Sequence, residues 1–167
     1  MAEIQRIMGL SYSALYTYLP YSKVIYKMSE ISQNAERVKA YKARKSAVDT
    51  LMATPTEEHL WDCIVAFQNY TFHTVSGLPF FYTLKKGRNG EYTKELFIDR
   101  REKSKSLVWS SIKIAFNKAL EKSGTVFTQP KELADVRGVS YTFSLLWRFG
   151  IIRVPENLGR KLKGNRK

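Results

Sequence analysis

The residues of this sequence that could support catalysis are few and widely spaced. Asp99 and Glu102 are three positions apart and are flanked by Lys94 and Lys103, a pattern that Mg²⁺-dependent nucleases use. Ion pairing with the neighbouring arginines accounts for these acids more simply. The sequence also lacks a phosphate-binding glycine loop, a dinucleotide-binding glycine motif and a nucleophile elbow. We therefore expect no enzymatic activity and no cofactor.

A metal centre is not favoured either. His59 and Cys63 are four residues apart on a predicted helix, and His73 lies further along the chain. Structural zinc sites need four ligands, usually in closely spaced pairs, so we expect no metal. Cys63 is the only cysteine, which excludes an intrachain disulfide and is typical of a cytoplasmic protein, here expected in a bacterial host cell. No apolar run is long enough to cross a membrane, so no membrane partner is expected.

The charge balance points to a polyanionic partner. The chain has 28 Lys and Arg residues against 15 Asp and Glu residues, a net charge of +13. A charge of this size favours nucleic acid, since phosphate neutralisation supplies most of the non-specific affinity in such complexes. We expect DNA rather than RNA, and a nuclease or other nucleoprotein is the alternative partner.

Helical periodicity dominates the first part of the chain. Apolar residues at spacings of three and four predict a helix from Ser22 to about Met52, and Thr56 with two following acids predicts the start of a second one. The middle of the first helix is basic. Either it is a solvated face or it contacts phosphates through Lys42, Arg44 and Lys45.

A β-hairpin is predicted next. Alternating apolar residues over 80–86 and 91–99 are joined by Gly87-Arg88-Asn89-Gly90, in which Asn-Gly is a strong turn signal. Its tip is basic, and such a tip either enters a groove or is an ordinary soluble turn. The candidate phosphate contacts on the hairpin and the connector after it are Lys85, Lys86, Arg88, Arg100 and Arg101.

The segment Pro130–Pro155 predicts a helix-turn-helix. A short helix could begin at Pro130, Gly138 interrupts it, and Ser140 could cap a second helix that stops at Gly150, before a short strand over 151–154. In such motifs the start of the second helix contacts base edges. The candidate binding residues here are Arg137, Ser140, Tyr141, Thr142 and Arg148. Phe143, Leu146, Trp147 and Phe149 are apolar enough to make much of this second helix core, packed on a helix over 107–122.

Two resemblances extend this interpretation. Leu133-Ala134, three further residues and Gly138-Val139-Ser140 resemble the spacing of winged-helix and helix-turn-helix regulators. More broadly, Lys94 to Ser104 with the later Pro130-Lys131-x-Leu133 and Gly138-x-Ser140-Tyr141 resembles small accessory proteins of phages and conjugative elements of Gram-positive gut bacteria. That resemblance implies a regulator, or an inhibitor of host defence of the anti-CRISPR type.

Together these features predict an α+β protein, mainly a single helical body with one β-hairpin (about 80–99) and a helix-turn-helix-like C-terminal unit. Residues 1–156 would form one domain, helical over 1–75 with the hairpin and the C-terminal unit over 78–156. Residues 157–167 would be a flexible basic tail. The expected function is non-enzymatic DNA binding in a mobile genetic element. Alternatives are an anti-CRISPR-type inhibitor of a CRISPR nuclease or its nucleic-acid complex, and an RNA-binding protein.

Overall fold

A computed structural model describes the backbone over residues 22–99 and 106–164, and side chains from Ser32 onward within those ranges. The chain divides into two compact units after Ala43, a boundary that lies within helix α1 (Ser22–Ala53). The described side chains of the first unit are almost all exposed, including Val38 and Tyr41 at 53% and 62%.

The second unit combines helices with a small sheet. After the end of α1, its elements in chain order are α2 (Glu57–Ala66), β1 (Phe72–His73), β2 (Pro79–Lys86), β3 (Tyr92–Asp99), β4 (Leu107–Val108), α3 (Trp109–Glu121), a 3₁₀ turn (Pro130–Glu132), α4 (Val139–Arg148) and α5 (Glu156–Lys163). Helix α2 begins where its sequence predicted, because the Thr56 hydroxyl accepts a hydrogen bond from the His59 N–H at 3.2 Å.

The predicted hairpin is present as β2 and β3, but it is the centre of a larger sheet. The strands form a curled, four-stranded antiparallel sheet in the order β1-β2-β3-β4. Tyr82 pairs with Ile98 and Leu84 with Leu96, so these buried side chains share the inner face. The expectation of a single helical body with one hairpin is therefore wrong. The outer strands have two residues each, too few to produce a visible alternation of apolar and polar residues.

A group of aromatic side chains joins the sheet to the helices. Phe72 of β1 stacks on Phe80 and Tyr82 of β2, with ring centroids 5.5 and 5.8 Å apart. Phe67, after α2, lies 5.9 Å from Phe72 and 5.0 Å from Phe149, after α4. The buried Tyr82 hydroxyl donates to the Ile64 carbonyl at 2.7 Å, which satisfies the polar atom that this ring inserts into the core.

The predicted helix-turn-helix is not formed. Its first helix is only the 3₁₀ turn Pro130–Glu132, and its second begins at Val139 after Gly138, which has a φ of +76°. A first helix in this short segment would incur the nucleation cost for few hydrogen bonds, and only Leu133 is fully buried there to offset it. The expected strand over 151–154 is a single parallel bridge between Val126 and Arg153.

Helix α4 is a core helix rather than a recognition helix. Five consecutive residues in its middle are buried, so the helix presents no continuous polar face: Thr142, Phe143, Ser144, Leu145 and Leu146. Ser140 does not cap it but lies inside it, where its carbonyl accepts a hydrogen bond from the Ser144 hydroxyl at 3.1 Å. The prediction that much of this helix packs as core is confirmed.

The predicted flexible tail over 157–167 instead contains most of helix α5. Leu162 is 4% exposed, and Leu158, four residues earlier, packs against the core. Gly159 lies against Trp147, since a Cβ at Gly159 would be 3.9 Å from that ring. Composition favoured disorder because basic residues are frequent here, yet two leucines on one face anchor the helix. Among the described helices, none is long and apolar enough to cross a membrane.

The packing of α5 can be tested by shortening its anchor. Leu162→Ala should lower the free energy of unfolding by about 2–5 kcal/mol, because it removes a buried side chain and leaves a cavity. Lys161→Ala, on the exposed side of the same helix, is the matched control and should change stability by less than about 0.5 kcal/mol. Urea denaturation of both variants measures this, and equal small losses would mean that α5 contributes nothing to the fold.

Candidate nucleic-acid interface

The structure distributes the predicted binding residues over separate surfaces. Lys85, Lys86 and Arg88 are exposed at the end of β2 and in its turn, as expected. The Lys85 ammonium lies 4.0 Å from the centroid of the Phe97 ring, and that of Lys86 lies 5.8 Å from the Tyr92 ring. Both lysines thus lie along aromatic rings of the neighbouring strand, while Arg100 and Arg101 fall outside the described residues.

The residues predicted at the start of α4 do not form a base-reading surface. Thr142 is 0% exposed, so it cannot contact a nucleic acid. Tyr141 is half-buried, with its ring edge-to-face against Phe80 at 4.8 Å, and Ser140 is half-buried as well. Arg137 is exposed, but it lies beside the N-terminus of α3, in a shallow cleft with Ser106 and Ser111.

Two of the predicted arginines meet at one tyrosine. The Arg148 guanidinium carbon lies 5.2 Å from the centroid of the Tyr70 ring, and its Nε donates to the Tyr70 hydroxyl at 3.0 Å. The Arg44 guanidinium carbon lies 5.3 Å from the same centroid. Both guanidinium groups also lie within 6.0 Å of the Phe67 ring. We call Arg44 and Arg148 the arginine pair.

The two lysines predicted with Arg44 are both exposed. Lys45 follows Arg44 in the chain, and Lys42 belongs to the first unit.

The arginine pair has no carboxylate partner within the described part of the chain. The ion pairs found there are Lys113 with Glu57, Lys118 with Glu121 and Arg160 with Glu156. Aromatic rings contribute about 0.5–1 kcal/mol to an exposed cation, which orients a guanidinium without neutralising it. The remaining N–H groups of both side chains can therefore donate to an external anion.

A cleft of about 620 Å³ opens beside Arg148. One wall is formed by Tyr70 and the residues of and before β1, and the other by α4 and the end of α5. We call it the arginine cleft. Three of its lining residues carry basic groups, Arg148, Lys163 and His73, and none carries a carboxylate. Trp147 adds a second aromatic side chain to Tyr70.

The contact between the end of α5 and β1, both of which line the cleft, depends on a glycine. Gly164 follows α5 with a φ of +72°, and a Cβ at this position would overlap the His73 imidazole. Because any other side chain would collide with that ring, Gly164 is what allows the end of α5 to lie against β1. The cleft thus exists only because the supposed tail folds back onto the sheet.

Sequence reasoning missed Tyr70, His73, Trp147 and Lys163. Tyr70 follows Asn69, whose φ of +58° turns the backbone as its N–H donates to the Tyr82 carbonyl at 3.0 Å. The sequence pattern extends the predicted helix to about Thr74, whereas α2 ends at Ala66, and Asn69 was the one local signal of a turn here. His73 lies in the two-residue strand β1, Trp147 in α4, which was expected to be core, and Lys163 in the supposed tail.

No metal-binding cluster is formed by the residues that the structure describes. Those residues contain no group of three or more His, Cys, Asp and Glu side chains that could hold a metal ion. His59 Nδ1 lies 2.7 Å from the Thr54 carbonyl oxygen, and Cys63 is fully buried. Glu102, one of the two acids in the nuclease-like pattern of the sequence, lies outside the described residues.

Comparison of this chain with protein families, curated proteins and solved structures finds no significant match. The site must therefore be interpreted from its own geometry.

The thiol of Cys63 should be inert in the folded protein. Burial, with a smaller contribution from the charge of Asp62, raises its pKa from 9.0 to about 12. A raised thiol pKa contributes stability that is complete below pH 9.0 and is lost as the pH rises toward 12. At about pH 8, a chromogenic disulfide reagent should react only after denaturation, because the thiolate is the reactive form. Rapid reaction of the native protein would contradict this burial.

A substitution of Thr142 tests whether this residue is part of the core or a contact for DNA. Its hydroxyl is buried and has no hydrogen-bond partner among the described residues. Thr142→Val keeps the shape and removes the unsatisfied group, so the free energy of unfolding should rise by about 1 kcal/mol. Thermal unfolding and DNA-binding titrations check it: weakened DNA binding at unchanged stability would restore Thr142 as a contact.

Proposed function

We propose that this protein is a non-enzymatic nucleic-acid-binding protein that contacts phosphates through the arginine pair. The observation that carries the proposal is the convergence of Arg44 and Arg148 on Tyr70 without any described carboxylate to neutralise them. Guanidinium groups match phosphate oxygens with two parallel hydrogen bonds, which lysines and histidines cannot do.

The other charges of the molecule supply an electrostatic field that favours a polyanion. A net charge of +13 attracts polyanions over a long range and is screened by salt. Exposed Lys45 continues the basic surface from Arg44 along α1, and the arginine cleft adds His73 and Lys163 beside Arg148. These groups make sequence-independent contacts that provide affinity, while the cleft offers a place for more selective recognition.

DNA is the proposed ligand, in the cytoplasm of a bacterial host. The setting proposed for this activity is an accessory role in a phage or conjugative element, which rests only on the resemblance of the segment from Gly90 to Ile152. The contacts that Arg44 and Arg148 offer are to phosphates, so RNA is the ligand against which the experiment must compare DNA.

The experiment is a salt series with labelled oligonucleotides. Arg44→Gln and Arg148→Gln should each weaken DNA binding about tenfold, because each removes a charge-assisted hydrogen bond to phosphate. Each should also reduce the slope of log K against log salt by about 0.7–0.9 for every phosphate that the variant no longer neutralises. Arg153→Gln removes the same charge from an exposed side chain outside the cleft and is the control.

Fluorescence anisotropy with single-stranded DNA, duplex DNA and RNA of equal length measures the affinities, and thermal unfolding confirms that the variants fold. Failure to bind any of these ligands at ~50 mM salt would overturn the proposed function. Equal decreases in affinity for Arg148→Gln and Arg153→Gln would reject the arginine pair as the contact. Tighter binding of RNA than of DNA would reject DNA as the ligand.

A further inference from the structure

We infer that the arginine cleft holds one unpaired nucleotide of a single strand, with its phosphate on Arg148 and Lys163 and its base against Tyr70 and Trp147. This inference rests on the proposed nucleic-acid-binding function and specifies the ligand of the same site.

The volume of the arginine cleft suits a single nucleotide. The cleft has a volume of about 620 Å³, and pockets for small molecules and cofactors span about 300–1,000 Å³. A single nucleotide falls within that range. A duplex does not enter a cleft of this size, because its bases are paired and stacked and must leave the helix before they can enter a protein pocket.

Aromatic side chains line the cleft. Tyr70 and Trp147 are half-buried, so each ring is held by the fold but keeps part of its surface toward solvent. Tyr70 is supported from behind, since it lies edge-to-face against Phe67 and Phe72, at 5.1 and 4.9 Å. Rigid aromatic side chains beside a basic groove are the common device for binding unpaired bases.

The charged side chains that line the cleft are positive. Arg148 and Lys163 line the cleft from α4 and α5, and no acidic residue lines it. Arg148 uses only its Nε–H for the Tyr70 hydroxyl, so its terminal NH groups remain available for a phosphate. Lys163 belongs to the last turn of α5, beyond the Arg160–Glu156 ion pair, and has no carboxylate partner among the described residues.

Polar groups on both walls of the cleft complete a nucleotide-like set. Thr71 is exposed and His73 is half-buried, and both line the cleft. The Ser144 hydroxyl already donates to the Ser140 carbonyl, so it can act only as an acceptor. An anion without an aromatic part would leave the solvent-facing part of the Trp147 ring unused, and an apolar ligand would leave Arg148 and Lys163 without an anionic partner. A nucleotide uses both kinds of group.

The experiment compares three ligands of equal length: a single strand of about ten thymidine nucleotides, the same strand without bases, and a duplex. The wild-type protein should bind the single strand about tenfold more tightly than the abasic strand, since the abasic strand lacks the base that stacks on the aromatic rings. It should also prefer the single strand to the duplex. Anisotropy at one fixed salt concentration measures all three affinities.

Two variants with matched controls locate the effect. Trp147→Leu should remove most of the preference for the thymidine strand over the abasic strand, whereas Trp61→Leu, a half-buried tryptophan that packs on Trp109 outside the cleft, should retain it. Lys163→Gln should weaken both single strands about threefold or more, and Lys161→Gln on the same helix should not. Should Trp147→Leu fail to fold, the wild-type comparison and the lysine variants decide alone.

The outcomes separate this inference from the proposed function. Equal affinity for all three ligands, with weaker binding by Arg148→Gln, would reject the nucleotide cleft and leave phosphate binding in place. Absence of binding to every ligand would reject both. A preference for the thymidine strand that Trp147→Leu leaves intact would place base recognition elsewhere and overturn the assignment to this cleft.

Discussion

The contact on which the candidate site depends is the packing of Phe67 against Phe149 and Phe72. Phe67 directly follows α2, Phe149 directly follows α4, and Phe72 lies in β1. The contacts among these three rings therefore fix three elements that are distant in the chain. Tyr70 lies three residues beyond Phe67 and rests edge-to-face on two of these rings. Its hydroxyl and ring then set the positions of Arg44 and Arg148.

This arrangement concentrates positive charge where the protein itself offers no compensation. Two guanidinium groups on the same ring repel each other, and their attraction to the ring contributes only about 0.5–1 kcal/mol each at an exposed site. A structural role alone would be served better by an arginine and a carboxylate. A bound polyanion would offset this repulsion, because its phosphates would neutralise both groups and release counterions.

Helix α5 converts this charged surface into a cleft. Leu162 anchors it, Gly159 lies against Trp147, and Gly164 lets it end against His73. Its exposed basic residues include Arg160, which is paired with Glu156. One short amphipathic helix thus supplies a wall, a cation and the support for an aromatic side chain.

The sequence alone determined the elements whose signals are local. The Asn-Gly turn and the alternation on either side identified β2 and β3, and Thr56 with its following acids identified the start of α2. Arg44 and Arg148 were recognised as candidates, but so were Thr142, which is core, and the hairpin lysines, which lie on other surfaces. Composition and spacing cannot distinguish these cases, because exposure depends on what packs against a residue.

The tertiary structure decided the rest. Strands of two residues and an eight-residue helix gain little from their own hydrogen bonds, so β1, β4 and α5 exist because neighbouring elements bury their side chains. The same reasoning explains why the helix-turn-helix does not form, since its first segment has too little to bury. Whether a basic segment is a loose tail or one wall of a cleft is set by long-range burial, which no local pattern encodes.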